Sequence, residues 1–133
     1  MNKKETYRMR NEAFLAEKAG EDGIVSLGGG VLYEELAKGS GTVGVQPNSV
    51  VTAHYRGTLI TGREFDNSWA RQCPEAFRPG ELIEGFRMAL MQMHTGDRWR
   101  VYIPWDKGYG KRGVDSIPGY STLIFEIELV GIS

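Results

Sequence analysis

Hydrophobic and polar residues alternate along three segments of the chain. These segments are residues 50–57, 98–104 and 123–130. In the first, Val51, Ala53 and Tyr55 point to one face, while Thr52 and His54 between them point to the other. A strand with one apolar and one solvated face is typical of an antiparallel sheet. We therefore expect three such strands, preceded by a first strand that begins after the glycine run at 28–30.

Residues 81–93 instead carry the spacing of a helix. Their apolar residues stand at positions 82, 83, 86, 89, 90 and 93, which lie on one face at 3.6 residues per turn. We expect a single amphipathic helix that Gly96 closes. One sheet and one short helix must cover each other, so the pattern predicts an α+β domain.

A second helix is predicted for residues 1–20. Asn2 is suited to be its N-cap, Glu5 follows three residues later, and Gly20 stands where a C-terminal cap belongs. Its apolar face is thin, because polar side chains interrupt it. That face consists of Tyr7, Phe14 and Leu15, with Asn11 and Lys18 between them. Such a helix needs a surface to pack against: its own domain, a partner chain or a segment outside this sequence.

Length and composition place the chain among ordinary globular proteins. It has 133 residues, 41% hydrophobic and 25% charged, with a net charge of −1, which suits one domain and not a nucleic-acid binder with a broad basic face. We expect two parts, a helix and linker at 1–22 and the domain at 23–133. No apolar run approaches the ~20 residues that span a bilayer, so no membrane is expected. The charged start predicts a cytoplasmic protein, or a periplasmic one if a leader has been removed.

The usual catalytic groups are missing from the sequence. A single cysteine, Cys73, excludes an internal disulfide and a multi-thiolate zinc site. The two histidines, His54 and His94, lie far apart in sequence, and no nucleophile elbow, phosphate loop or dinucleotide motif is present. We therefore expect neither a metal nor a cofactor. Any enzymatic activity must work without them.

Several longer motifs, in this order, resemble the FKBP family over roughly residues 30–133. They are VVTAHYRGTLITGREFDNS, AF-R-PG-ELIEGF, MHTGDRWRVYIP, GYGKRG and IPGYSTLIFEIELV. The preceding stretch resembles the linker of bacterial members that carry an N-terminal helical extension. The resemblance implies a twisted antiparallel half-barrel around one short helix, and peptidyl-prolyl cis–trans isomerase (rotamase) activity in protein folding. The extension is short here, so the oligomeric state stays open.

The resemblance also implies a proline pocket. Its residues are Tyr55, Phe65, Asp66, Arg71, Phe77, Leu82, Ile83, Phe86, Tyr109, Ile117 and Phe125. Phe86 departs from the usual tryptophan at the pocket floor, which implies a somewhat deeper pocket. Lys107 and Gly119 also depart from the family pattern at the rim, which affects substrate preference.

The roles implied by the resemblance need no covalent chemistry. Aromatic side chains enclose the proline ring, and the Ile83 N–H and the Tyr109 hydroxyl bond substrate carbonyls. Asp66, held by Tyr55 and Arg71, lies at the twisting amide. We assign Asp66, Tyr109 and Tyr55 to catalysis, proline-containing polypeptides as clients, and macrolides as pocket inhibitors.

Other interpretations of these residues remain. Taken singly, the aromatic residues suit a plain core, Asp66 suits a turn, and Arg71 suits a solvated surface. The alternative function is a peptide-binding or chaperone module of FKBP fold without useful catalysis. A weaker alternative is a scaffold whose N-terminal helix recruits a partner.

Overall fold

The computed structural model describes residues 1–133 as two helices and seven strands. The helices are α1 (Lys3–Ala19) and α2 (Glu84–Leu90). The strands are β1 (Val25–Gly28), β2 (Val31–Ala37), β3 (Val51–Thr58), β4 (Glu64–Asn67), β5 (Glu75–Phe77), β6 (Arg98–Ile103) and β7 (Leu123–Ile132). The three strands predicted from alternation are present as β3, β6 and β7. None of the helices is long and apolar enough to cross a membrane.

All strand pairs in the sheet are antiparallel. The strand order is β1-β2-β6-β7-β3-β4. Strand β4 pairs with the second half of β3, and β5 pairs with the first half of β3. The two longest strands, β3 and β7, are neighbours, with Tyr55 opposite Ile127 and Gly57 opposite Phe125. The sheet and the helix packed on it confirm the predicted α+β fold.

The core lies between one face of this sheet and α2. From the helix, Ala89 and Leu90 are fully buried, and so is Met93 just beyond it. They meet inward side chains of the central strands, such as Val101 and Ile127, which are also fully buried. Each large aliphatic side chain buried in this way contributes about 1.5–3 kcal/mol of transfer free energy. The core therefore holds α2 firmly against the strands that carry the site.

Two sequence predictions about element bounds were wrong. The helix predicted for residues 81–93 begins at Glu84 and ends at Leu90, because Pro79–Glu81 form a separate 3-10 turn and Gly96 lies in the next loop. The strand expected after the glycine run at 28–30 is present as β2, but it is not the first strand, because β1 comes before it and ends at Gly28. The three glycines have φ of 93°, 60° and 84°, the left-handed region that glycine tolerates, and they form the turn between β1 and β2.

Helix α1 packs on its own domain. Its N-cap is the predicted one, since the Glu5 N–H donates to Asn2 Oδ1 over 2.8 Å. Asn11 is fully buried, accepts a 2.7 Å bond from the Thr122 N–H at Oδ1 and donates to the Tyr7 carbonyl. Hydrogen bonds from a polar residue that interrupts the thin apolar face thus help to hold α1 on the domain.

This docking corrects the expectation that the outer face of the sheet is solvated throughout. Tyr102 belongs to the predicted polar side of β6, yet only 3% of it is exposed. Phe14 of α1 covers Tyr102 at 6.2 Å between ring centroids. The Tyr102 hydroxyl donates to Glu34. An alternating pattern identifies the core face of a strand but not a helix that covers the opposite face.

Candidate active site

A cavity of about 410 Å³ opens beside α2 at one end of β3 and β7. The structure places ten of the eleven predicted pocket residues in its lining, all except Arg71. We call this cavity the cup. Its lining consists of Tyr55, Phe65, Asp66, Phe77, Glu81, Leu82, Ile83, Phe86, Tyr109, Val114, Asp115, Ser116, Ile117 and Phe125.

Aromatic rings meeting edge to face form the floor of the cup. Phe86 and Phe125 are each only 4% exposed, and their ring centroids lie 5.0 Å apart at 73°. Tyr55 meets Phe86 at 5.7 Å and 90°, and Phe77 meets Phe86 at 5.8 Å and 88°. Phe65 completes the wall by a 5.5 Å contact with Phe125. Edge-to-face pairs are worth ~0.5–1.5 kcal/mol beyond burial, so these contacts stabilise the floor.

Gly57 allows two of these rings to approach the backbone of β3. A Cβ at this position would lie 2.5 Å from Phe65 Cζ and 2.8 Å from Phe125 Cε1, closer than real Cβ atoms come. Any side chain here would displace the two rings. The shape of the cup therefore depends on glycine at this position.

One carboxylate at the wall is held in a fixed orientation. Arg71 donates to Asp66 Oδ1 and, over 3.1 Å, to Glu75, while the Asn67 N–H donates to Asp66 Oδ1 at 3.0 Å. Hydrogen bonding to Asp66 raises the pKa of Arg71 further above its usual range. Burial, followed by a hydrogen bond to Asp66, raises the pKa of Tyr55 to about 12. Arg71 thus lies behind the cup wall and orients a residue that lines it.

Two hydrogen-bond donors at the cup are free. The Ile83 N–H, directly before α2, and the Tyr109 hydroxyl make no hydrogen bond within the chain. Tyr109 is 37% exposed, and its pKa is raised by burial and then by the negative charges of Asp66 and Asp115. Both groups therefore remain protonated donors at neutral pH, facing a cavity that is otherwise largely apolar.

The loop from Gly110 to Tyr120 forms the remaining wall. The Tyr120 N–H donates to the Gly110 carbonyl at its base, and Val114 and Ile117 pair at its tip. Arg63 of the β3–β4 turn donates to the Ser116 carbonyl and ties the tip to the sheet. This loop supplies Val114, Asp115 and Ser116, lining residues that the sequence did not single out. Their only signal was their position between Tyr109 and Ile117.

The other residues considered from sequence lie apart from the cup. His54 contacts the Ser68 hydroxyl at 2.7 Å and stacks on Trp69, while His94 lies near Asp97 in the loop before β6. Cys73 is exposed on the loop before β5. No three His, Cys, Asp or Glu side chains come together in a way that could hold a metal ion.

Comparison with protein families identifies this arrangement. Residues 41–130 match the family model described as FKBP-type peptidyl-prolyl cis-trans isomerase. The chain belongs to this family. The matched range contains the whole lining of the cup, so the FKBP domain comprises the part of the chain that builds the candidate site.

Relatives of the FKBP domain cover nearly all of the chain. It is 41% identical over 128 residues to the macrophage infectivity potentiator of Trypanosoma cruzi, covering 95% of this chain and 65% of that protein. It is 43% identical over 119 residues to a probable FKBP-type 25 kDa isomerase of Pseudomonas aeruginosa, covering 89% and 51%. FkpA of Escherichia coli is 38% identical over 123 residues, covering 92% and 45%. The chain thus spans about half to two thirds of the length of these relatives.

Solved structures agree with the fold. A peptidyl-prolyl cis-trans isomerase from Pseudomonas syringae aligns over 100% of this chain and 98% of its own, with a TM-score of 0.90 and 34% identity. The crystal structure of FkpA from Escherichia coli aligns over 98% of this chain and 63% of its own, with a TM-score of 0.89 and 35% identity. Because the coverage of this chain is nearly complete, the likeness includes the region of α1.

Proposed function

We propose that this chain catalyses cis–trans isomerisation of Xaa–Pro peptide bonds in polypeptide clients. The observation that carries the proposal is the cup itself: a closed aromatic floor with two free donors and one fixed carboxylate at its edge. Rotation of a peptide bond breaks amide resonance over a barrier of about 20 kcal/mol but makes and breaks no covalent bond. The reaction therefore needs no nucleophile, and a mainly hydrophobic cavity suits it.

The apolar floor favours the transition state. In the twisted amide the nitrogen is pyramidal, and its lone pair no longer delocalises into the carbonyl group. The twisted amide is therefore less polar than the planar amide. A dry aromatic cup disfavours the planar, polar form relative to the twisted one. Phe86, Phe125 and Tyr55 fill this role, and every ~1.4 kcal/mol of preference gives tenfold in rate.

The polar groups position the substrate. We assign the Ile83 N–H and the Tyr109 hydroxyl to hydrogen bonds with the carbonyls that flank the proline. Asp66 is an electrostatic element at the twisting amide and not a proton shuttle, because Arg71 and the Asn67 N–H hold the carboxylate in a fixed orientation. Leu82, Phe77 and Ile117 complete the contact with the ring and its neighbours. We propose unfolded or refolding chains as clients and macrolides as competitors for the cup.

A protease-coupled assay on Leu-Pro and Phe-Pro peptides tests the activity. We expect clear acceleration over the uncatalysed rate, inhibition by an FKBP-directed macrolide, and an unchanged rate in Cys73→Ser, since no thiol chemistry is involved. A correctly folded sample that binds the macrolide but does not accelerate isomerisation would instead support the non-catalytic binding module.

A further inference from the structure

A second concave surface lies next to the cup on the other side of its loop wall. It is a groove of about 600 Å³ between the start of α1 and the base of the Gly110–Tyr120 loop. Its lining is Lys3, Lys4, Tyr7, Lys111, Arg112, Pro118 and Gly119, which includes four cations and no acidic residue. We call it the basic groove. None of these four cations takes part in an ion pair, in contrast to neighbouring cations such as Arg8, which pairs with Glu12, and Lys107, which pairs with Glu84.

Hydrogen bonds fix the two walls of the basic groove relative to each other. The Tyr7 hydroxyl lies 2.6 Å from Ser121 Oγ, and the Ser121 hydroxyl donates to the Pro118 carbonyl over 2.7 Å. Asn11, one helical turn further along α1, bonds the Thr122 backbone from a fully buried position. The cations therefore stand on a braced scaffold and not on independent flexible segments.

The basic groove adjoins the cup through a single loop. Ile117 lines the cup, and the next residue, Pro118, lines the groove. Consecutive Cα atoms are 3.8 Å apart, so an extended chain that leaves the cup over this loop enters the groove within a few residues. In a protein of net charge −1, four unpaired cations side by side repel one another and attract a negatively charged partner.

We propose that the basic groove binds acidic residues of the client a few positions away from the proline held in the cup. The inference rests on the proposed isomerase function and names the class of substrate that the site prefers. Exposed charge pairs act over about a Debye length and are screened by salt. The groove thus increases kcat/KM for acidic clients by helping to bind them, without changing the chemistry of the cup.

Peptides with one Leu-Pro bond and either a neutral or a triple-glutamate tail test this proposal. The tail is placed on the amino or carboxyl side of the proline, behind spacers of different length, and kcat/KM is measured at low and high salt. For the correct side and spacing we expect a roughly five-fold higher kcat/KM than for the neutral peptide at low salt, and no difference at high salt.

Neutralising the groove provides the matched comparison. Lys3→Gln/Lys4→Gln and Lys111→Gln/Arg112→Gln each lower kcat/KM for the acidic peptide toward the neutral value while leaving the neutral peptide unchanged. Lys38→Gln/Arg87→Gln removes two exposed cations outside the groove and keeps the preference. Equal rates for acidic and neutral peptides in the unmodified protein would overturn the inference while leaving the isomerase function intact.

Two further outcomes separate the alternatives. No turnover of either peptide by folded protein would overturn the proposed function and, with it, the inference. Sedimentation with anionic phospholipid vesicles that is lost in Lys3→Gln/Lys4→Gln, without any preference for acidic peptides, would assign the groove to a lipid surface and overturn the client proposal.

Discussion

Among single residues, Gly57 is one on which the shape of the cup depends. We expect Gly57→Ala to lower the free energy of unfolding by about 1–3 kcal/mol, because the new methyl group overlaps Phe65 and Phe125. Displaced rings also narrow the cup, so isomerase activity falls together with stability. Denaturant unfolding and the peptide assay measure the two effects.

The control for Gly57 is Gly131 in β7. A Cβ at Gly131 has no heavy atom within 4 Å, and its φ lies outside the left-handed region. Gly131→Ala is therefore expected to leave both quantities nearly unchanged. Equal effects of the two substitutions would show that the loss is a general property of glycine in these strands.

Tyr109 tests the role of the free donors. Tyr109→Phe removes one neutral hydrogen bond worth about 0.5–1.5 kcal/mol, so we expect kcat/KM to fall by roughly two- to ten-fold. Tyr33→Phe is the matched control, because the Tyr33 ring stacks on Trp99 outside the cup lining. Asp66→Ala is likewise expected to give a partial loss. Complete loss in either cup variant, with fold and macrolide binding intact, would contradict the non-covalent account and indicate proton transfer.

The raised pKa of Tyr55 predicts that the free energy of unfolding depends on pH in the alkaline range. Its pKa is about 12 in the folded state, above the ordinary value of 10. As pH rises from 10 to 12 the unfolded chain loses this proton before the folded one does, so the stability contribution present below pH 10 is progressively lost. We expect the free energy of unfolding to fall less between pH 9 and pH 11.5 in Tyr55→Phe than in the unmodified protein. An identical fall would show that Tyr55 does not keep its proton in the fold.

At the scale of elements, α1 is held by a buried polar contact instead of a broad apolar face. Asn11→Ala leaves the Thr122 N–H without its 2.7 Å partner, and an unsatisfied buried donor costs about 1–3 kcal/mol. We expect that loss in denaturant unfolding, with Glu17→Ala on the exposed side of α1 as the control. Unchanged stability in Asn11→Ala would show that α1 does not depend on this contact.

The division of the chain at residues 22–23 stays a prediction. None of the residues that line the cup comes from α1, which favours an isomerase domain at 23–133. On the other hand, α1 covers Tyr102 and braces Ser121 and Thr122 beside the active-site loop. We therefore propose that α1 contributes to stability and client binding more than to rotation of the bond itself.

The elements that the sequence predicted are those with a strong local signal. Strands β3, β6 and β7 alternate clearly, and the N-cap at Asn2 bonds as expected. The short strands β4 and β5 were not predicted, since three or four residues carry too little periodicity and depend on pairing with the edge of β3. The bounds of α2 were wrong because apolar spacing continues through a turn that is not helical.

At the scale of the whole molecule, the cup gathers residues from distant parts of the sequence. Tyr55 and Phe125 are seventy positions apart, and only family resemblance placed them together in advance. Periodicity alone assigned each of them to a core face. The loop residues Val114, Asp115 and Ser116 were missed because a polar, glycine-rich loop carries no pattern that shows which side faces a cavity.

The basic groove was also not predicted from the sequence, because its residues come from distant positions. The net charge of −1 is a sum over the whole chain and gives no indication of a local cluster of cations. Its cations come from positions 3–4 and 111–112, which only the docking of α1 brings together. Charge complementarity of this kind depends on tertiary structure and not on composition.

We propose above all that the cup itself accelerates rotation about an Xaa–Pro bond without covalent chemistry. Exchange NMR on an unmodified Leu-Pro peptide at equilibrium tests it most directly, since it needs no coupling protease. We expect cis-to-trans and trans-to-cis exchange to accelerate by the same factor, the cis fraction to stay unchanged, and the uncatalysed rate to return when a macrolide fills the cup. Peptide binding at the cup with no increase in the exchange rate would contradict it.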